Sequence, residues 1–423
     1  MDDRLPCKKP DCSHRILPAT AARTGGYCMP CVQACEKQKY DEYIKKNKKT
    51  INVFEGINDP VEMLKRIHQP RKHDPLISWT PCPIATDALY QQLSADQAQQ
   101  VADYAEMLFD DGEYNEAIEI CLCLAAFTHA NLDNCLRKWV YEGDIDIYSA
   151  LPFHRAPADV RDNLLQRVEH DADNRNWLLT MLAWIGDDVV VERFNYWRKE
   201  PPAWCDSLYI PPQNYSYEAG WELTPDGHRR NLYFSSCTHL SQHAKAQPAV
   251  FRTVSQHGEH CPHCTLPLIN LFEIAPKQVD PTLESWPGSI RIMTCECCSA
   301  YETVFARIDH QGQPQWYEKN KLSALAVKNA NDWMALPADH LHLSESRLPL
   351  FAADQFLPTT FSQLGGHPTW IQDAQYPSCP ECARHMMFIA QLSCHDVDEY
   401  LEGIIYGFIC PTCHTTATSF QQT

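Results

Sequence analysis

The chain has 423 residues, 44% of them hydrophobic, and a formal net charge of -18. That apolar content supports real cores and excludes a disordered chain, while no run reaches the ~18 apolar residues of a membrane-spanning helix. The 21 cysteines are an odd count, unsuited to a fully paired disulfide framework, and point to metal in a reducing compartment.

The charge is uneven. Residues 1–75 carry fifteen Lys and Arg against ten Asp and Glu, so the remainder holds about -23. Such an acidic body discourages nonspecific nucleic-acid binding and steers basic partners. The N-terminus, through Cys7, has no apolar signal-peptide core, so a cytoplasmic location is expected.

Residues 1–50 read as a zinc-binding head followed by a charged helix. Cys7 and Cys12 form one pair and Cys28 and Cys31 another, with Gly25 and Gly26 allowing the tight turn between them. His14 and Cys35 are spare donors, so the fourth ligand stays open. Residues 36–50 are expected as a short helix whose lysines alternate with Glu36, Asp41 and Glu42, a pattern that suits a solvated surface. Residues 51–85, punctuated by five prolines, read as an irregular strap or linker.

Residues 86–202 are helical by period. Apolar residues recur at spacings of three and four over 98–109, Asn115 is placed to cap a helix ending at Phe127, and further helices are expected near 132–141, 158–170, 174–185 and 187–198. The stretch Leu178–Asp188 is similar to one unit of a HEAT-type repeat, in which a Gly-Asp turn joins two antiparallel helices. No strict period runs through the segment, so an irregular bundle is the alternative. The acid pairs Asp110-Asp111 and Asp187-Asp188 fall at helix turns and read as caps.

Residues 203–423 turn to strand-like patterning and hold a duplication. Cys261 and Cys264 lead into an apolar strand, a second strand, then Cys295 and Cys298. Cys379 and Cys382 do the same and end at Cys410 and Cys413. Four thiolates from two tight turns suit a closed tetrahedral zinc site, so each copy reads as a zinc ribbon, with Cys297 an alternative ligand in the first. Structural Zn²⁺, three per chain, is the expected cofactor. A catalytic zinc would keep a position open for water, and a deaminase would need a separate His-x-Glu arm, whereas His257-Gly258-Glu259 abuts the first cysteine pair. No phosphate loop, nucleophile elbow or His-Glu-x-x-His occurs, so no catalytic residue is assigned. His263 and His414, beside ligands, are expected to hydrogen-bond around the sites, and Cys82, Cys121, Cys123, Cys135, Cys205, Cys237 and Cys394 are expected in the core.

Gln363-Leu364-Gly365-Gly366-His367-Pro368-Thr369-Trp370, then Cys379-Pro380-Glu381-Cys382 and Phe388-Ile389-Ala390-Gln391-Leu392, resembles the YwqG-like family of domain DUF1963. It is also similar to the C-terminal part of programmed-cell-death-2 proteins. The likeness covers residues 360–423 and implies protein binding without catalysis. Its bacterial members imply an immunity protein that occludes a cognate toxin one-to-one, an ADP-ribosyltransferase or a nuclease fitting equally. Its eukaryotic members imply the alternative, a chaperone or adaptor for a basic ribosomal protein. The expected architecture is thus α+β and multidomain, with an N-terminal zinc knuckle, a HEAT-like helical domain and a mainly β region.

Overall fold

The computed structural model describes residues 3–142, 149–242, 251–338, 341–348, 357 and 361–422. The chain divides into two units, Met1–Pro83 and Ile84–Thr423.

In the first unit, Leu5–Pro6 and Arg15–Ile16 pair as a short antiparallel ribbon. The charged helix begins earlier than its lysines suggest and spans Met29–Asn47. Cys28 stands at its N-cap and Pro30 falls in the first turn, where a missing N–H costs nothing. None of its side chains is buried, so it gains little from packing. The strap is not irregular throughout. Pro60–Ile67 is a helix, started by Asp59, whose carboxylate accepts from the Val61 N–H, and it buries Val61, Met63 and Leu64. Here a proline that reads as punctuation opens a helix. The strands Lys49–Ile51 and Ile77–Trp79 pair in parallel.

The second unit opens with helices. Ala95–Asp110 starts from a capping box: the Ser94 hydroxyl accepts from the Gln97 N–H and the Gln97 side chain accepts from the Ser94 N–H. Tyr114–Phe127 begins after Glu113, so Asn115 lies inside the helix and does not cap it. Asp133–Glu142, Ala158–Val168, Arg175–Ile185 and Asp188–Lys199 follow. Gly186 joins the last two at a φ of 51°, and a Cβ there would lie 2.9 Å from the Ala183 carbonyl oxygen. Asp187 then caps, accepting from the Val190 N–H at 3.0 Å. Asp110 and Asp111 are not N-caps. They end their helix, where acids are disfavoured by the helix dipole, and Asp110 pairs with Lys138 instead.

An eight-stranded antiparallel sheet forms the rest of the frame. Its order is Pro314–Trp316, Val304–Ile308, Thr415–Gln421, Ile404–Cys410, Met387–Ser393, Gln363–Gly365, Cys237–Ser241 and His342–Leu348. A second sheet orders Ile290–Thr294, Pro267–Ile274 and Phe251–His260. Leu271, Phe272, Ile274, Ile290 and Ile292 share one core with Ile389, Leu392, Ile405 and Ile409, so the two sheets bury their apolar faces together. The helices join this core's flank: the Trp221 indole N–H donates to the Ala183 carbonyl at 2.8 Å, and the Trp184 ring lies 4.6 Å from the His367 ring. No helix among the described residues is long and apolar enough to cross a membrane.

Candidate metal centres

Three groups of four cysteines gather: Cys7, Cys12, Cys28 and Cys31; Cys261, Cys264, Cys295 and Cys298; Cys379, Cys382, Cys410 and Cys413. Within each group all four Sγ atoms lie within 4.8 Å of one another. Sulfurs about 2.3 Å from a central ion define a tetrahedron with edges of about 3.8 Å. Cys261 and Cys298 stand 3.6 Å apart, Cys264 and Cys298 3.7 Å, Cys382 and Cys410 3.8 Å, and Cys12 and Cys28 3.7 Å. The donors are thus spaced to hold a metal ion, and sulfur donors at this geometry favour zinc over hard cations.

Local backbone chemistry places the sulfurs. In the first C-terminal copy the Cys261 N–H donates to the Leu266 carbonyl at 2.8 Å, and in the second the Cys379 N–H donates to the Arg384 carbonyl at 2.8 Å. The residue after the second cysteine is left-handed in both, Thr265 at φ 67° and Ala383 at φ 59°. Each following strand then carries one bulged residue, Leu271 and Ile389. The duplication seen in the cysteines therefore extends to turns and bulges.

The second cysteine pairs differ. Cys295 is the N-cap of a one-turn helix, Glu296–Ser299, whereas Cys410 ends a strand and is followed by a turn with His414 at φ 49°. After that turn Thr415–Gln421 returns beside Ile404–Cys410 in the same sheet. Val304–Ile308 instead leaves its own hairpin and pairs with Thr415–Gln421. The first copy is thus shared between the two sheets, with its cysteines at the junction.

The spare donors fall outside the three groups. Cys35 is exposed on the helix one turn beyond Cys31. His14 approaches the first group, its Nδ1 3.4 Å from the Cys12 sulfur. Cys297 is fully buried, and its thiol donates to the Ala326 carbonyl at 3.3 Å. His263 meets the Ser323 carbonyl at 2.9 Å through Nε2, and the His414 ring packs edge-on at 5.4 Å from Trp286. Cys121, Cys123 and Cys135 are buried in the helices, and Cys237 and Cys394 in the sheet region, whereas Cys82 and Cys205 are half-buried.

No family model matches the chain, and no solved structure matches it. A protein of Salmonella typhimurium named "Uncharacterized protein YpfL" is 65% identical to it over 425 residues, covering 100% of each. The chain belongs to the YpfL family. Identity at this level over the whole length extends the fold to that relative.

The glycine-rich turn at 365–370 in this YpfL-family chain is a structural joint. Gly365 and Gly366 take φ of 68° and 72°, and a Cβ on Gly365 would lie 2.1 Å from the Ser236 carbonyl oxygen. Buried amides hold the turn. The Gln363 side chain donates to the Gly365 carbonyl at 2.7 Å and to the His367 carbonyl at 2.9 Å, and Gln391 accepts from the Thr369 N–H at 2.9 Å. The Tyr406 hydroxyl donates to the Thr369 carbonyl at 2.6 Å. The Trp370 ring then packs tilted against Tyr406, their centroids 4.7 Å apart. Burial pushes the His367 imidazole down to about 3, so it stays neutral, and pushes the nearby Glu218 carboxyl up to about 7.

Two residues near the sulfurs gave little sequence signal. Arg384 donates to the Thr412 hydroxyl at 2.6 Å, and the neighbouring Cys382 sulfur raises the pKa of its guanidinium. Glu296, between Cys295 and Cys297, is buried and accepts from the Leu336 N–H at 2.8 Å. Acid between ligating cysteines reads as a solvated loop position; only the fold of residues 330–336 over it decides otherwise.

Proposed function

We propose that this chain is a cytoplasmic, non-catalytic binding protein, stapled by three structural zinc ions, that captures a basic protein partner. The observation that carries this reading is the donor set. Each cluster offers four sulfurs and neither imidazole nor carboxylate, which closes a tetrahedral ion and leaves no position for an activated water. Fixed metal staples leave little ordering to be done at association, which favours tight binding. The net charge of about -23 beyond residue 75 favours a basic partner and speeds its capture.

The paired cysteine hairpins are zinc ribbons on this reading, and the helical segment is HEAT-like, supported by the Gly186-Asp187 turn between two helices. The helices also expose Trp177 and Tyr196, residue types that anchor protein interfaces. The similarity of residues 360–423 to the YwqG-like family makes the partner a toxin and the chain its immunity protein, acting by one-to-one occlusion.

The test is genetic and biochemical together. The product of the neighbouring gene is expected to co-purify with the tagged full-length chain and to kill cells lacking it. A neighbour that is harmless in such cells sinks the immunity reading. Recovery of a ribosomal protein, with slow growth in the absence of any toxin, would assign the chaperone role instead.

A further inference from the structure

Beside the first C-terminal cysteine group lies a cleft of about 430 Å³. It opens where the two copies meet: Glu296 comes from the first and Phe420 from the last strand of the second. That volume falls in the range of sites that take small molecules or single side chains, about 300–1,000 Å³. We infer that this cleft is a binding site for an organic cation, an ammonium or guanidinium carried on an apolar stem.

Three observations converge. Glu296 is 8% exposed, yet only its Oε1 is engaged, by the Leu336 N–H; its Oε2 takes no hydrogen bond from the described residues. That second oxygen is not among the atoms shut off from solvent, so on a mostly buried side chain lining the cleft it is free to accept a hydrogen bond from a ligand. Second, the charge along the wall has one sign. Asp332 and Glu402 stand with Glu296, and no lysine, arginine or histidine occurs among the described lining residues. Third, the rest of the wall is aromatic and aliphatic, including Tyr301, Trp333 and Phe420. Ring faces beside carboxylates favour cations and reject anions. The Trp333 indole N–H is also buried and unpartnered among the described residues, so the cleft offers a donor to any acceptor that the cation carries.

The cation could be free or could be a side chain of a protein. Both sources share the chemistry, and two probes separate them. Phenethylammonium represents a free amine and N-acetylargininamide a protein side chain. Each is titrated into the zinc-loaded full-length chain by calorimetry, with Trp fluorescence as a second readout. The expected result is saturable binding of one or both. The neutral isostere 2-phenylethanol should bind at least about tenfold more weakly than phenethylammonium, and 3-phenylpropanoate not at all. Glu296→Gln should weaken the probe about tenfold and Glu402→Lys about fivefold. Because Glu296 lies between cysteines, its variant could lose the metal; Glu402 is exposed, so Glu402→Lys with unchanged zinc content then decides. Equal affinity for cation and neutral isostere overturns the proposal. So does unchanged affinity in Glu402→Lys, or no binding of either probe up to about 10 mM. This titration needs no protein partner, so its failure is separate from failure of the partner-binding reading.

Discussion

The N-terminal cysteine group and the first C-terminal one have the same donors and opposite surroundings. Around the head group, the buried residues are Cys7, Ile16 and Cys28, so two of the three are themselves sulfur donors. Around Cys261, Cys264, Cys295 and Cys298, all four sulfurs are buried with Leu268, Met293, Val304, Ala306 and Ala326. The head has almost no apolar core without its sulfurs, so a metal there supplies most of the folding free energy. The C-terminal group is embedded in a core that would exist anyway, so a metal there mainly fixes the junction between two sheets. The same donor set would therefore help to fold one region and to lock another.

The largest expected effect breaks the head alone. Structural zinc in small domains contributes about 10–16 kcal/mol, more than a short ribbon and an unpacked helix supply. Cys7→Ser should bind about two zinc ions instead of about three and expose residues 3–47 to protease, while the second unit stays resistant. Metal analysis with limited proteolysis checks this. Resistance retained in the metal-free head would erase the contrast.

Next comes a comparison inside the duplication. Cys295 is 0% exposed and Cys413 half-buried. Cys295→Ser leaves a buried, incomplete sulfur cluster and should cost roughly 3–5 kcal/mol, enough to lower soluble yield, whereas Cys413→Ser should lose one zinc and remain soluble. Matching melting temperatures for the two would show that burial does not separate the copies.

Three smaller effects should touch the second unit and spare the head. Gly365→Ala meets both a left-handed backbone and the Ser236 carbonyl, and should cost about 3 kcal/mol in denaturant melts without changing zinc content. Glu218 acts through pH. Burial raises its folded pKa from 4.5 to about 7, so its contribution is fully present below about pH 4.5 and is lost as pH rises through about 7. Glu218→Gln, which keeps the acceptor for the Ala374 N–H, should therefore gain up to about 3 kcal/mol over the parent at pH 8 and nothing at pH 4. Equal gains at both values would remove the carboxylate as the cause. Smallest is Arg384→Ala, expected to quicken zinc release by a chelator from the second copy alone, by severalfold, since a charge beside Cys382 is lost.

Much of this was legible in the chain because its causes are local. A cysteine pair separated by two residues, or by four as in Cys7 and Cys12, needs only a tight turn, so all twelve clustered cysteines could be named from spacing. The Gly186-Asp187 joint could be read the same way, since a left-handed residue and a cap act within one turn. Failures arose where one residue type has two local uses. Pro60 punctuates a strap or opens a helix, and the choice depends on whether Val61, Met63 and Leu64 find something to bury against.

The sequence by itself determined which sulfurs belong together, that the second half repeats a strand-turn-strand unit, and where most helices begin and end. Only the tertiary structure decided that Val304–Ile308 deserts its own copy for Thr415–Gln421, that Gln363 and Gln391 are buried to hold a turn, and that Glu296 lines a cleft. The physical reason is range. Metal knuckles and caps are set by neighbours along the chain, whereas strand pairing and the burial of a polar group depend on distant partners: Val304 pairs with Thr418, and Glu218 accepts from the Ala374 N–H.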